Sequence, residues 1–289
     1  MSTADVATHP APWAVSVRAW LRLLRSELTL VFGRRRNLAL LLVLAAVPVL
    51  LGIVLKVSSP QPANGEGPAF LGQVTGNGVF LAFLALVVEL TLVLPLAVAV
   101  VAGDSIAGEA GRGTLRYLLA VPAGRTRLLG IKLAAVVVFC LCACLLVAAV
   151  AVIVGAMLFP VRPVALLSGT TIPLAAGLLR LLFVAGYIAA AMAALGAIGV
   201  AISTFTEHAI GAIAAVLVIT VASEVADNVS QLAAVHPYLP SHWWLSFDAL
   251  LRSPVDWPAL THGLLSFGAY AVIFCSVAWA RFTTADVTS

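Results

Sequence analysis

The chain has 289 residues, of which 62% are hydrophobic and only 10% are charged, and its mean hydropathy is +1.12. Soluble domains are about half apolar by a comparable count, so this composition excludes a soluble globular protein. The formal net charge of +4 does not indicate binding to nucleic acid, because the basic residues are distributed as a membrane topology would place them.

The N-terminal region is predicted to contain a polar, disordered tail at residues 1–12 and an amphipathic helix at residues 13–36. Apolar residues recur at helical spacing on one side of that helix: Trp13, Val17, Trp20, Leu21, Leu24, Leu28 and Val31. Arg18, Arg22 and Arg25 form a separate stripe. Tryptophans beside an arginine stripe are typical of a helix that lies in the lipid headgroup layer. A soluble bundle helix is the weaker alternative, because an apolar span follows at once.

Six apolar segments have the length that an α-helix needs to cross a bilayer, which is about 20 residues. They lie at about 37–57, 79–102, 128–158, 174–203, 209–226 and 258–280. They are too long and too uniformly apolar for the strands of an outer-membrane barrel. The first is too long for a signal peptide, and Pro48 is expected to kink it. The prediction is an all-α polytopic protein with a six-helix transmembrane domain at 37–281 and a cytoplasmic tail at 282–289.

The orientation follows from the basic residues. With the N-terminus inside, twelve of the sixteen Lys and Arg residues lie on the cytoplasmic side, and only Lys56, Arg162, Arg180 and Arg252 lie at or near the outside. This bias is the one that the positive-inside rule describes. We therefore expect a multi-pass protein of a bacterial plasma membrane, in contact with lipid, with both termini in the cytoplasm.

A charged segment, Gly103–Lys132, separates the second and third spans and is predicted to be cytoplasmic. Charged side chains are costly in lipid, so such a segment must lie outside the membrane, on a surface that contacts a partner. Asp104 and Ser105 are predicted to cap a first short helix, which ends at Gly111 and Gly113.

Thr114 is predicted to cap a second short helix in the charged segment, at residues 115–120, which stops before Pro122. Two short helices bounded by glycines and a proline predict a stiff protrusion and not a flexible loop.

The charged segment resembles the segment after the second span of ABC-2 permeases, the membrane subunits of one type of ATP-binding-cassette exporter. The motifs that carry the resemblance are Ala107-Gly108-Glu109, Gly113-Thr114-Leu115, Leu118-Leu119, Pro122-Ala123-Gly124-Arg125 and Lys132. One departure is Ala123-Gly124, where the family more often has a branched residue and a serine. The amphipathic helix, the six spans and the aromatic loop before the last span are compatible with the same family.

The resemblance implies that the charged segment contains a coupling helix, which docks in a groove of a separate cytoplasmic ABC ATPase. The residues that it assigns to ATPase coupling are Asp104, Glu109, Arg112, Gly113, Thr114, Arg116, Pro122 and Arg125. Glu109 and Arg112 would be the polar contacts at the groove, with Thr114 fixing their geometry. The alternative is that Glu109 and Arg112 form a solvated pair with no partner.

The resemblance also implies the partners and the cargo. The sequence contains no G-x-x-x-x-G-K-[ST] motif, so ATP and Mg are expected to bind to the partner ATPase, and the chain is expected to be a permease subunit and not an enzyme. One six-span subunit is half of the usual permease pair, which implies a homodimer or a paralogous partner. The default cargo is a small hydrophobic or amphipathic molecule, such as a drug, lipid or peptide, which is exported.

Two charged residues lie within the spans and are candidates for the substrate path. Glu89 lies about ten residues into the second span, about 15 Å from its outer end and near the midplane of the bilayer. It either lines the path and contacts a cationic group of the cargo, or forms a hydrogen bond that holds the helix bundle together. Arg180 enters the fourth span from outside, and could reach outward to the lipid surface or pair with Glu89.

No metal site and no catalytic set are expected. His236 and His242 do not have the spacing of a common metal site, and the four cysteines are interpreted as small apolar residues within helices. The leading alternative function is a self-contained secondary carrier or channel. That alternative predicts more ionisable residues within the spans, and broken, repeated helices around a midplane site. A membrane scaffold or an enzyme of lipid metabolism is a third class, for which the sequence offers no catalytic residues.

Overall fold

The computed structural model describes residues 12–58, 77–111, 113 and 125–284, and within them the chain is almost entirely helical. The helices are α1 (Pro12–Gly33), α2 (Arg35–Val57), α3 (Phe80–Thr91), α4 (Val93–Ala110), α5 (Arg125–Leu158), α6 (Leu174–Ser203), α7 (Ala209–Asp227) and α8 (Trp257–Thr284). Two short strands, β1 (Val164–Ala165) and β2 (Thr171–Ile172), pair antiparallel between α5 and α6.

Six helices of the described chain, α2 and α4 to α8, are long and apolar enough to cross a membrane. The predicted all-α polytopic fold is therefore confirmed. Helix α6 has the predicted bounds, and α7 ends one residue beyond its predicted end. Pro48 lies inside α2, which continues to Val57. Helix α8 extends to Thr284, and the predicted tail at residues 1–12 lies almost wholly outside the described residues.

The second span differs from its prediction, which was a single helix ending near residue 102. It is two helices, α3 and α4, with a break at Leu92, whose φ and ψ are −148° and −47°. Pro95 lies in the first turn of α4, where its missing N–H removes one helical hydrogen bond to the preceding turn. The break separates the apolar helix α3 from helix α4, which continues into the charged segment.

The predicted first short helix of the charged segment is also wrong. Asp104 and Ser105 do not cap a new helix, because α4 runs without interruption to Ala110. The Ser105 hydroxyl instead donates a hydrogen bond to the Ala102 carbonyl oxygen at 2.6 Å. The predicted end of the helix at Gly111 is confirmed.

The core of the bundle lies around α6, which packs against α4, α5 and α8. Glycines allow these helices to approach closely, which is typical of membrane helix interfaces. A Cβ atom on Gly199 of α6 would lie 2.8 Å from the Ala102 Cβ of α4, and one on Gly103 would lie 3.0 Å from the Ile213 backbone nitrogen of α7. Helices α2, α7 and α8 are less buried and expose many apolar side chains at the periphery.

The loops at the predicted outer face pack onto the helix ends. Gly78 and Gly155 meet backbone to backbone, so a side chain on either would overlap the other. The segment between α7 and α8 contains 3₁₀ helices at Ser230–Leu232, His236–Tyr238 and Trp244–Leu251. The Tyr187 hydroxyl of α6 donates a 2.8 Å hydrogen bond to the Trp243 carbonyl oxygen in this segment. The aromatic loop is thereby attached to the core.

Candidate functional site

Asp104 forms ion pairs that join the charged segment to the first span. Its carboxylate accepts a hydrogen bond from the Arg34 guanidinium and lies 3.0 Å from Nη2 of Arg36. The Asp104 side chain is 12% exposed, so water screens these pairs only partly. Because Arg34 and Arg36 flank the first residue of α2, the pairs attach the start of α2 to α4.

Lys132 forms a second and more deeply buried set of ion pairs. Its side chain is 1% exposed, and Nζ donates to Oε1 of Glu109 at 2.7 Å and to Oε1 of Glu27 at 3.1 Å. Glu27 lies on α1, Glu109 on α4 and Lys132 on α5. One ammonium group therefore connects three helices. We refer to Glu27, Arg34, Arg36, Asp104, Glu109 and Lys132 together as the ion-pair network.

Uncharged contacts reinforce the attachment of the N-terminal helix. The buried Asn37 side chain donates from Nδ2 to the Val31 carbonyl oxygen at 2.8 Å, which fixes the turn between α1 and α2. The rings of Phe32 and Phe139 have centroids 6.0 Å apart, so the end of α1 also packs on α5. Helix α1 is therefore held against the bundle along its second half.

The start of α5, the end of α8 and the turn between α6 and α7 also contact one another. Arg125 Nη1, at the start of α5, donates to the Thr283 carbonyl oxygen of α8 at 3.1 Å. Trp279 of α8 donates from Nε1 to the Thr126 hydroxyl, also at 3.1 Å. The Arg281 guanidinium lies 5.7 Å from the centroid of the Phe205 ring, in the turn between α6 and α7. The helix ends around residues 112–124 are thus cross-connected.

An open cavity of about 640 Å³ lies beside the network, between the ends of α2, α4 and α7. Its walls carry both charge signs and small residues: Arg34, Arg35, Arg36, Asp104, Ala107, Gly108, Gly111, Glu207, His208, Ala209 and Ile210. A mixed-charge recess next to the charged segment is a surface that a polar partner can contact.

The predicted coupling residues fall into two groups. Asp104, Glu109 and Arg125 all make contacts within the chain, and Gly113 has a φ of +68°, a conformation that favours glycine. Arg112, Thr114, Arg116 and Pro122 lie outside the described residues, as does the predicted second helix at 115–120. The structure commits the Glu109 carboxylate to Lys132, and its predicted contact with a partner stays a prediction.

Glu89 lies in the last turn of α3, just before the break at Leu92. Its side chain is fully buried, at 0% exposure. Among the residues that the structure describes, neither of its carboxylate oxygens has a hydrogen-bond partner. Isolated ionised carboxyls are costly in an apolar interior, so this group must be neutral or must receive a cation from elsewhere.

Arg180 does not pair with Glu89. Its Nη1 donates to the carbonyl oxygens of Leu250 and Arg252, at 2.8 and 2.9 Å. These carbonyls lie at the end of the 3₁₀ helix Trp244–Leu251, where helical partners run out. Arg180 therefore holds the aromatic loop on α6, and its place in a substrate path stays a prediction.

The two histidines of the aromatic loop cluster with an acidic residue. His242 Nδ1 lies 2.6 Å from the Asp227 carboxylate, and His236 Nε2 lies 3.1 Å from the Val229 carbonyl oxygen. The rings of His236 and His242 have centroids 6.0 Å apart. These contacts give both histidines a structural role, because they connect the end of α7 to the loop.

Sequence reasoning missed the partners within the ion-pair network. Glu27 is the single acidic residue of α1, and an isolated acid on an arginine-rich helix is a signal that it has a specific partner. The arginines before the first span indicated the orientation of the chain in the membrane. Nothing in their spacing indicated that Asp104 is their counter-ion.

Residues 33–223 match the family described as ABC-2 family transporter protein. The match covers about two thirds of the chain, including the first four spans, most of the fifth and the charged segment. No curated protein sequence shows significant similarity to the chain.

Proposed function

The chain belongs to the ABC-2 family of transporter proteins, and we propose on that premise that it is an exporter subunit driven by a separate cytoplasmic ATPase. It would work as a pair, with a second copy or with a paralogue. Its cargo would be a small hydrophobic or amphipathic molecule. Membership of the family makes the chain a membrane component of an ABC transporter. The identity of its partners, the direction of transport and the class of cargo are what we propose.

The observation that carries the proposal is the ion-pair network. Glu27, Lys132 and Glu109 tie α1, α5 and α4 together on both sides of residues 112–124, and Asp104 ties in α2. Breaking one partner of a buried pair costs about 3–5 kcal/mol, so helices joined in this way move as one body. A movement of the charged segment, driven by the ATPase, would therefore move the first three spans together.

The sequence supports ATP hydrolysis by another polypeptide. It contains no phosphate-binding P-loop, whose glycine-rich backbone and lysine hold the nucleotide phosphates. ATP and Mg would then bind to the partner. The cavity beside Gly108 and Gly111 offers both charge signs to a docking surface on that partner.

Reversing the charge of Arg112 tests the proposal, because the family resemblance assigns Arg112 to the polar contact with the ATPase. The tagged chain is expressed with the ABC ATPase encoded beside its gene and purified in mild detergent. We expect Arg112→Glu to reduce the recovered ATPase activity at least tenfold. Arg162→Glu, an exposed arginine between α5 and α6, is the matched control and should recover normal activity.

Two results would contradict the proposal. The first is recovery of full ATPase activity by Arg112→Glu. The second is substrate movement by the purified chain in vesicles that contain no nucleotide.

A self-contained carrier is the second candidate, and the broken second span favours it. Secondary transporters place ion sites at discontinuous helices near the midplane, and the break at Leu92 lies next to the buried Glu89. The break has no counterpart repeated in the sequence. Transport that follows an imposed ion gradient without ATP would establish this candidate.

A further inference from the structure

We propose that Glu89 is the counter-ion for a positively charged group of the cargo, which makes the substrate class hydrophobic cations. The inference rests on the proposed function in assuming that the chain moves a cargo. It names the chemistry of that cargo, which the family assignment leaves open.

The first support is the isolation of the carboxyl group. Glu89 is 0% exposed, and within the described residues both of its oxygens lack a hydrogen-bond partner. Buried polar side chains are nearly always hydrogen-bonded, and each exception calls for an explanation. A bundle role would have given this carboxyl a donor on a neighbouring helix.

The second support is that two candidate cations of the described chain are bound to other groups. Lys132 is the buried cation of the described chain, and it is held by Glu109 and Glu27. Arg180, which the sequence allowed as a partner, donates to two loop carbonyls. Cys144, a buried thiol that interacts electrostatically with Glu89, brings no positive charge. A counter-ion for Glu89 must then come from outside the described chain.

The third support is the position of Glu89 at a helix end. It lies in the last turn of the twelve-residue helix α3, where the helix dipole is negative and favours a cation. The break at Leu92 also leaves terminal carbonyl groups of α3 without their usual i+4 donors. Val88 and Leu92, which are close to Glu89 in sequence, are 39% and 55% exposed. The buried carboxyl therefore lies on a helix whose opposite side is at the surface of the chain.

The surroundings select among cations. A small metal ion needs about six oxygen ligands to replace its water, and this site offers one carboxylate within an apolar core. The other buried residues of α3, which include Phe83, Leu86 and Leu90, are all apolar. A bulky organic cation loses little hydration on entry and gains from apolar contact, so it fits this site best.

Binding of a matched ion pair tests the inference without any ATPase. Tetraphenylphosphonium and tetraphenylborate have similar size and opposite charge. The full chain in lipid nanodiscs should bind the cation more tightly than the anion, and Glu89→Gln should weaken cation binding at least tenfold while leaving anion binding unchanged. Glu224→Gln is the control, because Glu224 is a span carboxyl that already has a hydrogen-bond partner in Ser241. It should bind both probes as the wild type does.

A second measurement on the wild-type chain covers the case in which Glu89→Gln does not fold. Dicyclohexylcarbodiimide modifies protonated carboxyls in apolar surroundings, and mass spectrometry locates the product. Glu89 should be labelled, and tetraphenylphosphonium should slow its labelling at least fivefold.

Equal cation binding by wild type and Glu89→Gln, no cation binding by the wild type, or labelling that the cation does not slow would each overturn the inference. Because none of these measurements involves nucleotide, they can succeed or fail independently of the proposed ATPase partner.

Discussion

Lys132 shows at the scale of one residue how a charge is accommodated inside this bundle. It is nearly inaccessible to water, yet it has two carboxylates within 3.1 Å. The ammonium group is shared, so its removal would leave Glu27 and Glu109 facing each other in a medium that screens charge poorly. Exposed pairs such as Arg252 with Asp248 are different, because solvent replaces either partner at little cost.

Lys132→Met should therefore destabilise the chain strongly. We expect a loss of about 3–5 kcal/mol in the free energy of unfolding, because two buried carboxylates lose their counter-ion. The measurement is unfolding in detergent micelles. The matched control is Arg252→Met, which should cost under about 0.5 kcal/mol. A loss for Lys132→Met no larger than that of the control would show that the network is not buried in the working protein.

At the scale of the elements, glycine positions control how closely the helices approach the loops. Gly155 near the end of α5 contacts the backbone of Gly78 directly, whereas a Cβ on Gly130 of the same helix would meet nothing within 4 Å. The hydrogen bond from the Gly78 amide to the Pro160 carbonyl oxygen, at 3.0 Å, holds the two segments at this separation. The contact places the start of α3, and through it Glu89, against α5.

Gly155→Ala and Gly130→Ala form a matched pair on one helix. Gly155→Ala should destabilise the chain by about 1–3 kcal/mol, because the added methyl group overlaps a backbone that cannot yield without moving α3. Gly130→Ala should be neutral or stabilise by up to about 1 kcal/mol, because alanine is the better helix former. Thermal unfolding of both variants in the same lipid measures the difference. Equal midpoints would contradict the close contact between α3 and α5.

At the scale of the whole molecule, local sequence signals predicted the helices, and non-local pairing determined the site. The bounds of α6 followed from a long apolar run, interrupted by the charged Arg180, between Pro173 and the polar turn after Ser203. The break at Leu92 had a local signal in Pro95, which the apolar run concealed. The ion-pair network had no local signal, because Arg34 and Asp104 are 70 residues apart and Glu27 and Lys132 are 105 apart.

A neutral version of the Lys132 pairs separates stability from coupling. In the triple variant Glu27→Gln, Glu109→Gln and Lys132→Met, all three charges of this cluster are removed together, and neutral replacement of a buried ion network is often harmless to stability. We expect near-normal unfolding and normal recovery of the partner ATPase. Transport per ATP hydrolysed should fall at least fivefold, because α1, α4 and α5 are no longer held together around the charged segment.

The control for the triple variant removes the exposed outer pair through Asp248→Asn and Arg252→Gln, and it should keep the wild-type ratio of transport to hydrolysis. The two variants together distinguish a role in force transmission from a role in folding. If the triple variant transports normally per ATP, then helix packing alone carries the motion, and the buried charges serve only to hold the fold. If it unfolds at a clearly lower temperature than the wild type, the pairs are net stabilising, and any loss of coupling has to be attributed to the loss of structure.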